Sequence, residues 1–189
     1  MADLVYNFTC TARLPWIVAT KELRPGRNQV GRYPVDFLWA TTREQGDRTA
    51  AAMHGGYRKG VTALVRLALP AEDFEPWPAV AARFPRWTAR HIKCLEDAAR
   101  VRGETNFGCW RVRAEPLPLS RVIQAEAKTY TGDWKPIELA CLPSRDPEMR
   151  GICFDGSVYF SSQYVLPGEA TRYCTGRLSL ADWSGEYAV

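Results

Sequence analysis

The side chains able to do chemistry in this sequence fall into three sets. Arg24, Arg27 and Arg32 are interleaved with Gly, Asn and Pro between residues 24 and 34. A guanidinium is a planar fork that matches phosphate oxygens, so this stretch suits a pyrophosphate or a nucleic-acid backbone, or it stays hydrated as isolated surface charge does. Basic and aromatic residues alternate again in Arg83-Phe84-Pro85-Arg86-Trp87-Thr88-Ala89-Arg90, a pattern that can join phosphate contact to base stacking. The third set is polar groups at strand ends, Asn7 and Thr9 in one segment and Thr41 and Thr42 in another, with the mid-chain carboxylates Glu104, Glu115 and Glu126. Such polar ends bind a ligand or satisfy nearby backbone groups.

Other chemistries are poorly supplied. His54 and His91 are far apart and lack carboxylates at ligand spacing, and Cys10, Cys94, Cys109, Cys141, Cys153 and Cys174 contain no Cys-x-x-Cys pair. Neither a zinc knuckle nor a thioredoxin-type dithiol is written here, and metal catalysis is not expected. Gly55-Gly56 lacks the spacing of a dinucleotide loop and reads as a turn. No helix-turn-helix, zinc-finger or RNP-type signature occurs.

The elements that must position these residues belong to a chain of 189 residues, long enough for one domain with one apolar core. With 46% hydrophobic and 24% charged residues, wholesale disorder is excluded. A net charge of +4 is compatible with a phosphorylated partner and does not demand one. No apolar run approaches the roughly 20 residues of a membrane span, and the opening lacks a basic-then-apolar leader, so a cytoplasmic protein with buried free thiols is expected.

Alternating β-branched and aromatic residues predict a strand over Val5 to Thr9, followed by a helix entered at Pro15 and stopped at Pro25-Gly26. A second strand is expected over Val35 to Thr42, then a small helix over Ala50 to Met53 capped by Asp47 or Thr49. Val61 to Leu69 is apolar enough for a central strand. A short helix is expected over Pro78 to Phe84 and a longer one over Ala89 to Val101, capped by Thr88. Extended structure resumes at Asn106 to Val112, and Arg121 to Lys128 reads as an edge or half-exposed strand. Asp155-Gly156 marks a two-residue hairpin, and residues 139 to 189 form a β-rich extension packed on a core of residues 1 to 138.

The opening, Val5-Tyr6-Asn7-Phe8-Thr9-Cys10 followed by Leu14-Pro15-Trp16-Ile17-Val18, together with Val35 to Thr42, resembles the start of ADP-ribosyltransferase-type folds. It is most similar to the DNA-targeting ADP-ribosyltransferase toxins and RNA phosphotransferases that begin with a Tyr-His-Phe-Thr-like strand and a Leu-Pro-x-Ile helix. The resemblance covers about the first quarter of the chain. It implies an α+β fold with a mixed β core, NAD as substrate, and a dinucleotide pocket between the ends of the first two strands. Asn7 then stands, as a catalytic candidate, where the family has His, and Thr9, Trp39, Thr41, Thr42 and Arg48 would bind the cofactor. Asn7 departs from the pattern because an amide hydrogen-bonds but does not titrate near neutrality. Cleaving the bond to nicotinamide builds positive charge at the ribose, which a carboxylate would stabilise. Glu115 is the first choice for that role, with Glu104 and Glu126 as alternatives. Core packing for Trp39 and a solvated turn for Glu115 stand beside these roles.

Two functions follow. One is an NAD-dependent ADP-ribosyltransferase-like enzyme acting on a nucleic acid or protein. The other is a non-catalytic protein that binds a macromolecule through surface Arg, Tyr and Trp, the side chains that dominate interfaces.

Overall fold

The computed structural model describes residues 3–26, 37–47, 55–81, 83–84, 86–164 and 172–189. In chain order the elements are β1 (Leu4–Cys10), α1 (Leu14–Thr20), β2 (Glu22–Leu23), β3 (Leu38–Thr41), α2 (Gly55–Arg58), β4 (Leu64–Pro70), β5 (Glu75–Pro76), α3 (Trp77–Ala81) and α4 (Ala89–Val101). They continue with β6 (Trp110–Arg113), β7 (Leu117–Pro118), β8 (Gln124–Lys128), β9 (Lys135–Pro136), β10 (Cys141–Leu142), β11 (Met149–Phe154), β12 (Ser157–Tyr164), β13 (Arg172–Ser179) and α5 (Leu180–Glu186). Among the described residues no helix is long and apolar enough to cross a membrane.

The fold is α+β, built on a seven-stranded sheet ordered β5-β6-β3-β1-β4-β8-β9 and a four-stranded sheet ordered β10-β11-β12-β13, while β2 pairs with β7. Among the described residues the strand pairs are antiparallel. β4 lies near the middle of the larger sheet because both of its faces can be buried: every residue from Leu64 to Pro70 is buried. A strand with one wet face would alternate instead.

Side chains from successive strand positions point to opposite faces, and here each face has its own core. On one face Val5, Val65, Leu67 and Leu69 pack with Leu14 at the start of α1, with Leu23 and Leu117, and with Ile152, Phe154 and Tyr159 of the smaller sheet. The other face carries a mostly aromatic cluster of Phe37, Trp77, Val80, Trp87, Trp110 and Val112, against which Trp39, Ile92 and Leu95 pack. The expected single core is thus two, since a sheet with apolar side chains on both faces must be covered twice.

Pro15 sits in the first turn of α1, where its missing N–H costs nothing, but the helix ends at Lys21 in the left-handed conformation (φ 58°) rather than at Pro25-Gly26. The chain then pairs as β2, so the tertiary ladder with β7 overrides the turn signal at Pro25. Thr88 caps α4 in a capping box with His91. The short helix before α4 begins at Trp77, and residues 107–109 form a 3-10 turn before β6. The strand predicted over 121 to 128 is β8, paired on both sides by β4 and β9. The Ala50 to Met53 helix and the first residues of the second predicted strand lie outside the described residues.

The described residues between 139 and 189 form the smaller sheet and α5. The hairpin joining β11 to β12 turns at Asp155 (φ 49°) and Gly156 (φ 73°), the two positive angles that a tight primed turn requires. The smaller sheet meets α1 through the Trp16 indole N–H, which donates to Ser161 Oγ at 2.9 Å, and Ser161 in turn donates to the Ala12 carbonyl at 2.6 Å.

Candidate functional site

β1 and β3 run antiparallel with Tyr6 opposite Thr41. The ends of the two strands therefore lie at opposite ends of the sheet: Thr9 is three residues past Tyr6, about 10 Å further along at roughly 3.3 Å per residue. Glu115 follows β6, whose Arg113 is opposite Leu38 at the start of β3, so it belongs with Thr9 and away from Thr41 and Thr42. The structure does not bring these residues to one place. A pocket between two adjacent strand tips needed the strands to be parallel.

Individually, Asn7 is half-buried and its amide donates to the Trp39 carbonyl at 2.7 Å. Thr9 is half-buried opposite Val65. Thr41 is fully buried, with Oγ1 accepting from the Arg43 backbone N–H at 3.3 Å, while Thr42 is exposed and its N–H donates to the Cys109 carbonyl. Glu115 is exposed on a turn. Arg48 lies outside the described residues, as do Arg27 and Arg32.

The alternative carboxylates are both engaged. Glu126 binds Arg66, with both Nε and an Nη at 2.7 Å. Glu104 is 2% exposed, pairs with Arg43 at 3.0 Å and accepts the backbone N–H groups of Thr105 and Asn106 at 3.0 and 2.9 Å. Glu104 reaches the Thr41 end of β3 through Arg43, and Glu126 reaches it through Arg66 and Glu44.

A cavity of about 380 Å³ opens near that end of the sheet. Trp39 and Ala40 of β3, Trp110 of β6, Leu95, Ala98 and Ala99 of α4, Arg102 and Asp47 line it. The register that sets Trp39 opposite Val112 and Thr41 opposite Trp110 places Trp39 and Trp110 on one face, edge to face with ring centres 5.7 Å apart. Small residues on the facing helix, Ala98 and Ala99, leave the space that larger side chains would fill. Asp47 is 6% exposed, an acid held in a largely apolar wall, and Arg102 at the helix end is exposed.

Behind Asp47 lies Cys109, with Sγ 3.9 Å from Oδ2 and 2.9 Å from the Asn106 carbonyl. Burial pushes this thiol above its ordinary range, opposed by a Thr41 hydrogen bond and by Arg43 and reinforced by Asp47 and Glu104. A thiol held protonated is a poor nucleophile. The cluster can therefore bind and orient a ligand, and it contains no activated sulfur.

Asp47, Trp110, Ala98 and Arg102 were not evident as a site in the sequence. Asp47 resembles a helix cap and Trp110 one more strand aromatic; only the β3–β6 register joins them. Trp39 is the sequence-derived candidate that lines the cavity. The six cysteines are free; Cys10 and Cys109 are buried, as expected of thiols, whereas Cys94 and Cys174 are exposed. Among the described residues no three His, Cys, Asp or Glu side chains are grouped to hold a metal.

The seven tryptophans are all buried or half-buried, and Phe84 and Trp87 of the basic-aromatic stretch pack into the aromatic cluster. The alternative of macromolecule binding then rests on surface Arg and Tyr, of which Tyr130 is 52% exposed. Comparison of the chain with family models, with curated proteins and with solved structures finds no match.

Proposed function

We propose that the protein binds a small ligand that places one flat ring in the pocket between β3, β6 and α4. The observation that carries this reading is a cavity of about 380 Å³ bounded by two indoles and a buried carboxylate. That volume is within the range of small-molecule sites, about 300–1,000 Å³, and a mostly apolar wall with few polar groups is their usual make-up. Indole faces favour flat and cationic rings, while Asp47 accepts hydrogen bonds from a donor on the ring edge.

NAD is the ligand to test first. Its nicotinamide ring is flat and positively charged, and the opening of the chain resembles enzymes that consume NAD. The catalytic form of the proposal is an ADP-ribosyltransferase-like enzyme modifying a nucleic acid or protein. In that form Asp47, rather than Glu115 or Asn7, faces the charge that grows at the ribose as the bond to nicotinamide breaks.

Calorimetric and fluorescence titration with NAD, nicotinamide and adenosine tests binding, with Ala98→Trp as the variant that fills the cavity. Saturable binding lost in Ala98→Trp supports the pocket; no binding of any of the three at millimolar concentration rejects it. Transfer of label from NAD to nucleic acid or lysate protein, lost in Asp47→Asn, would establish the catalytic form.

A further inference from the structure

The segment that carries Asp47 into the cavity wall is gripped from outside the cavity. Arg66, in the middle of β4 and 6% exposed, donates from one Nη to the Glu44 carbonyl at 3.0 Å and pairs through the other with the Glu44 carboxylate at 3.1 Å. The Trp134 indole N–H donates to Gln45 Oε1 at 3.2 Å, and the Trp134 ring lies over the Arg66 guanidinium at 4.5 Å. Gly46 turns the chain at φ +80°, its N–H donating to the Arg43 carbonyl at 2.9 Å, and lies against the Phe8 ring. From the other side Arg43 pairs with the buried Glu104. Three consecutive residues, 44 to 46, are thus fixed immediately before Asp47.

We propose that Arg66 and Trp134 are positioning residues for the pocket: they set the location of Asp47, and so ligand affinity, without touching the ligand. This rests on the ring-binding reading above. The physical reason is that neither Glu44 nor Gln45 is held by a helix or strand ladder, so their contacts with Arg66 and Trp134 replace the regular hydrogen bonding that fixes a residue elsewhere. Arg66 is itself held by Glu126 from β8, which makes the grip rigid rather than a flexible surface pair. Cys109 reports on the same wall, because it is buried directly behind Asp47.

The test uses mild variants. Trp134→Phe keeps a ring over Arg66 and removes the N–H; Glu44→Ala removes the carboxylate from a half-exposed side chain. Each is measured for unfolding by urea, for the rate of Cys109 alkylation in a background with Cys94, Cys141, Cys153 and Cys174 changed to Ser, which leaves the two buried thiols, and for affinity for nicotinamide. The expected result is a fivefold or greater rise in Cys109 alkylation with the unfolding midpoint little changed, together with affinity weakened at least fivefold. Glu44→Gln, which retains an acceptor oxygen, should recover part of both. Cys109 protection unchanged in both variants overturns the grip. Faster alkylation with unchanged ligand affinity overturns the positioning role while leaving the pocket standing. Absence of any ring binding to the wild-type chain overturns the pocket reading, and the affinity half of this inference with it.

Discussion

The Asn7 side-chain amide donates to the Trp39 carbonyl at 2.7 Å, joining two residues that the family resemblance offers as site candidates. Tyr6 opposite Thr41 is the one register pair assigned between β1 and β3, whereas β1 and β4 share seven, from Leu4 with Pro70 to Cys10 with Leu64. Asn7 supplies a hydrogen bond where the ladder between β1 and β3 does not. Its polarity in an apolar strand is explained by the fold.

Asn7→Leu should therefore destabilise the protein by about 1–3 kcal/mol, the usual consequence of leaving a partly buried acceptor without its donor. Asn7→Asp should be as costly, because a carboxylate cannot donate. Urea unfolding measures both. If Asn7 serves a ligand alone, both variants will unfold like the wild type.

The C-terminal sheet allows a sharper steric prediction. Gly176 is opposite Phe160 on β13 and β12, and a Cβ built at Gly176 collides with the Phe160 ring. That ring cannot swing away freely, since Trp183 and Tyr187 of the α5 region pack on it at centre distances of 5.8 and 5.9 Å. Gly176→Ala should cost about 1–3 kcal/mol as overpacking. Gly185→Ala, at a position open to solvent, should change the unfolding midpoint much less.

Alkaline stability follows from the buried acids. Burial raises the thiols of Cys10, Cys109 and Cys141 above their ordinary 9.0 and the phenols of Tyr57, Tyr159 and Tyr173 above 10.0. Below about pH 8 the folded and unfolded chains both keep these protons, and stability is full. Above it the unfolded chain releases protons that the fold retains, so stability falls as pH rises through the raised folded-state values. Thermal melts at pH 8, 9 and 10 should show a decreasing midpoint. Cys109→Ser should flatten the first part of that decline; a midpoint constant to pH 10 would contradict the assignment.

Local signals were legible in the sequence, and long-range ones were not. Thr88 announces α4 because a hydroxyl before a helix satisfies an orphan N–H, and Asp155-Gly156 announces its hairpin because few residue pairs accept two positive φ angles. The run ending at Leu69 reads as central because nothing in it needs water except Arg66, whose partners Glu44 and Glu126 are 22 and 60 residues away. The pocket was hidden for the same reason. Trp39, Asp47, Ala98 and Trp110 carry no shared periodicity, and only the antiparallel order of β1, β3 and β6 decides that Trp39 meets Trp110 while Thr9 and Thr41 part.

That ordering also separates the roles of two glutamates. Glu104 is fixed by four groups: the Arg43 guanidinium, the backbone N–H groups of Thr105 and Asn106, and, through its own N–H, the Ala99 carbonyl of α4. Glu115 is exposed on its turn, and its carbonyl rather than its carboxylate accepts from Arg113. Glu104→Ala should then destabilise by about 3 kcal/mol, since two backbone donors and a guanidinium lose their acceptor. Glu115→Ala should remain within about 0.5 kcal/mol of wild type, as surface substitutions do. Ring binding adds a second comparison: Glu104→Gln, which keeps one acceptor oxygen, should weaken it through the wall near Asp47, and Glu115→Gln should leave it unchanged. Loss of binding in Glu115→Gln would move the site to the opposite end of β3, because β6 carries Glu115 past Leu38 and away from Trp110.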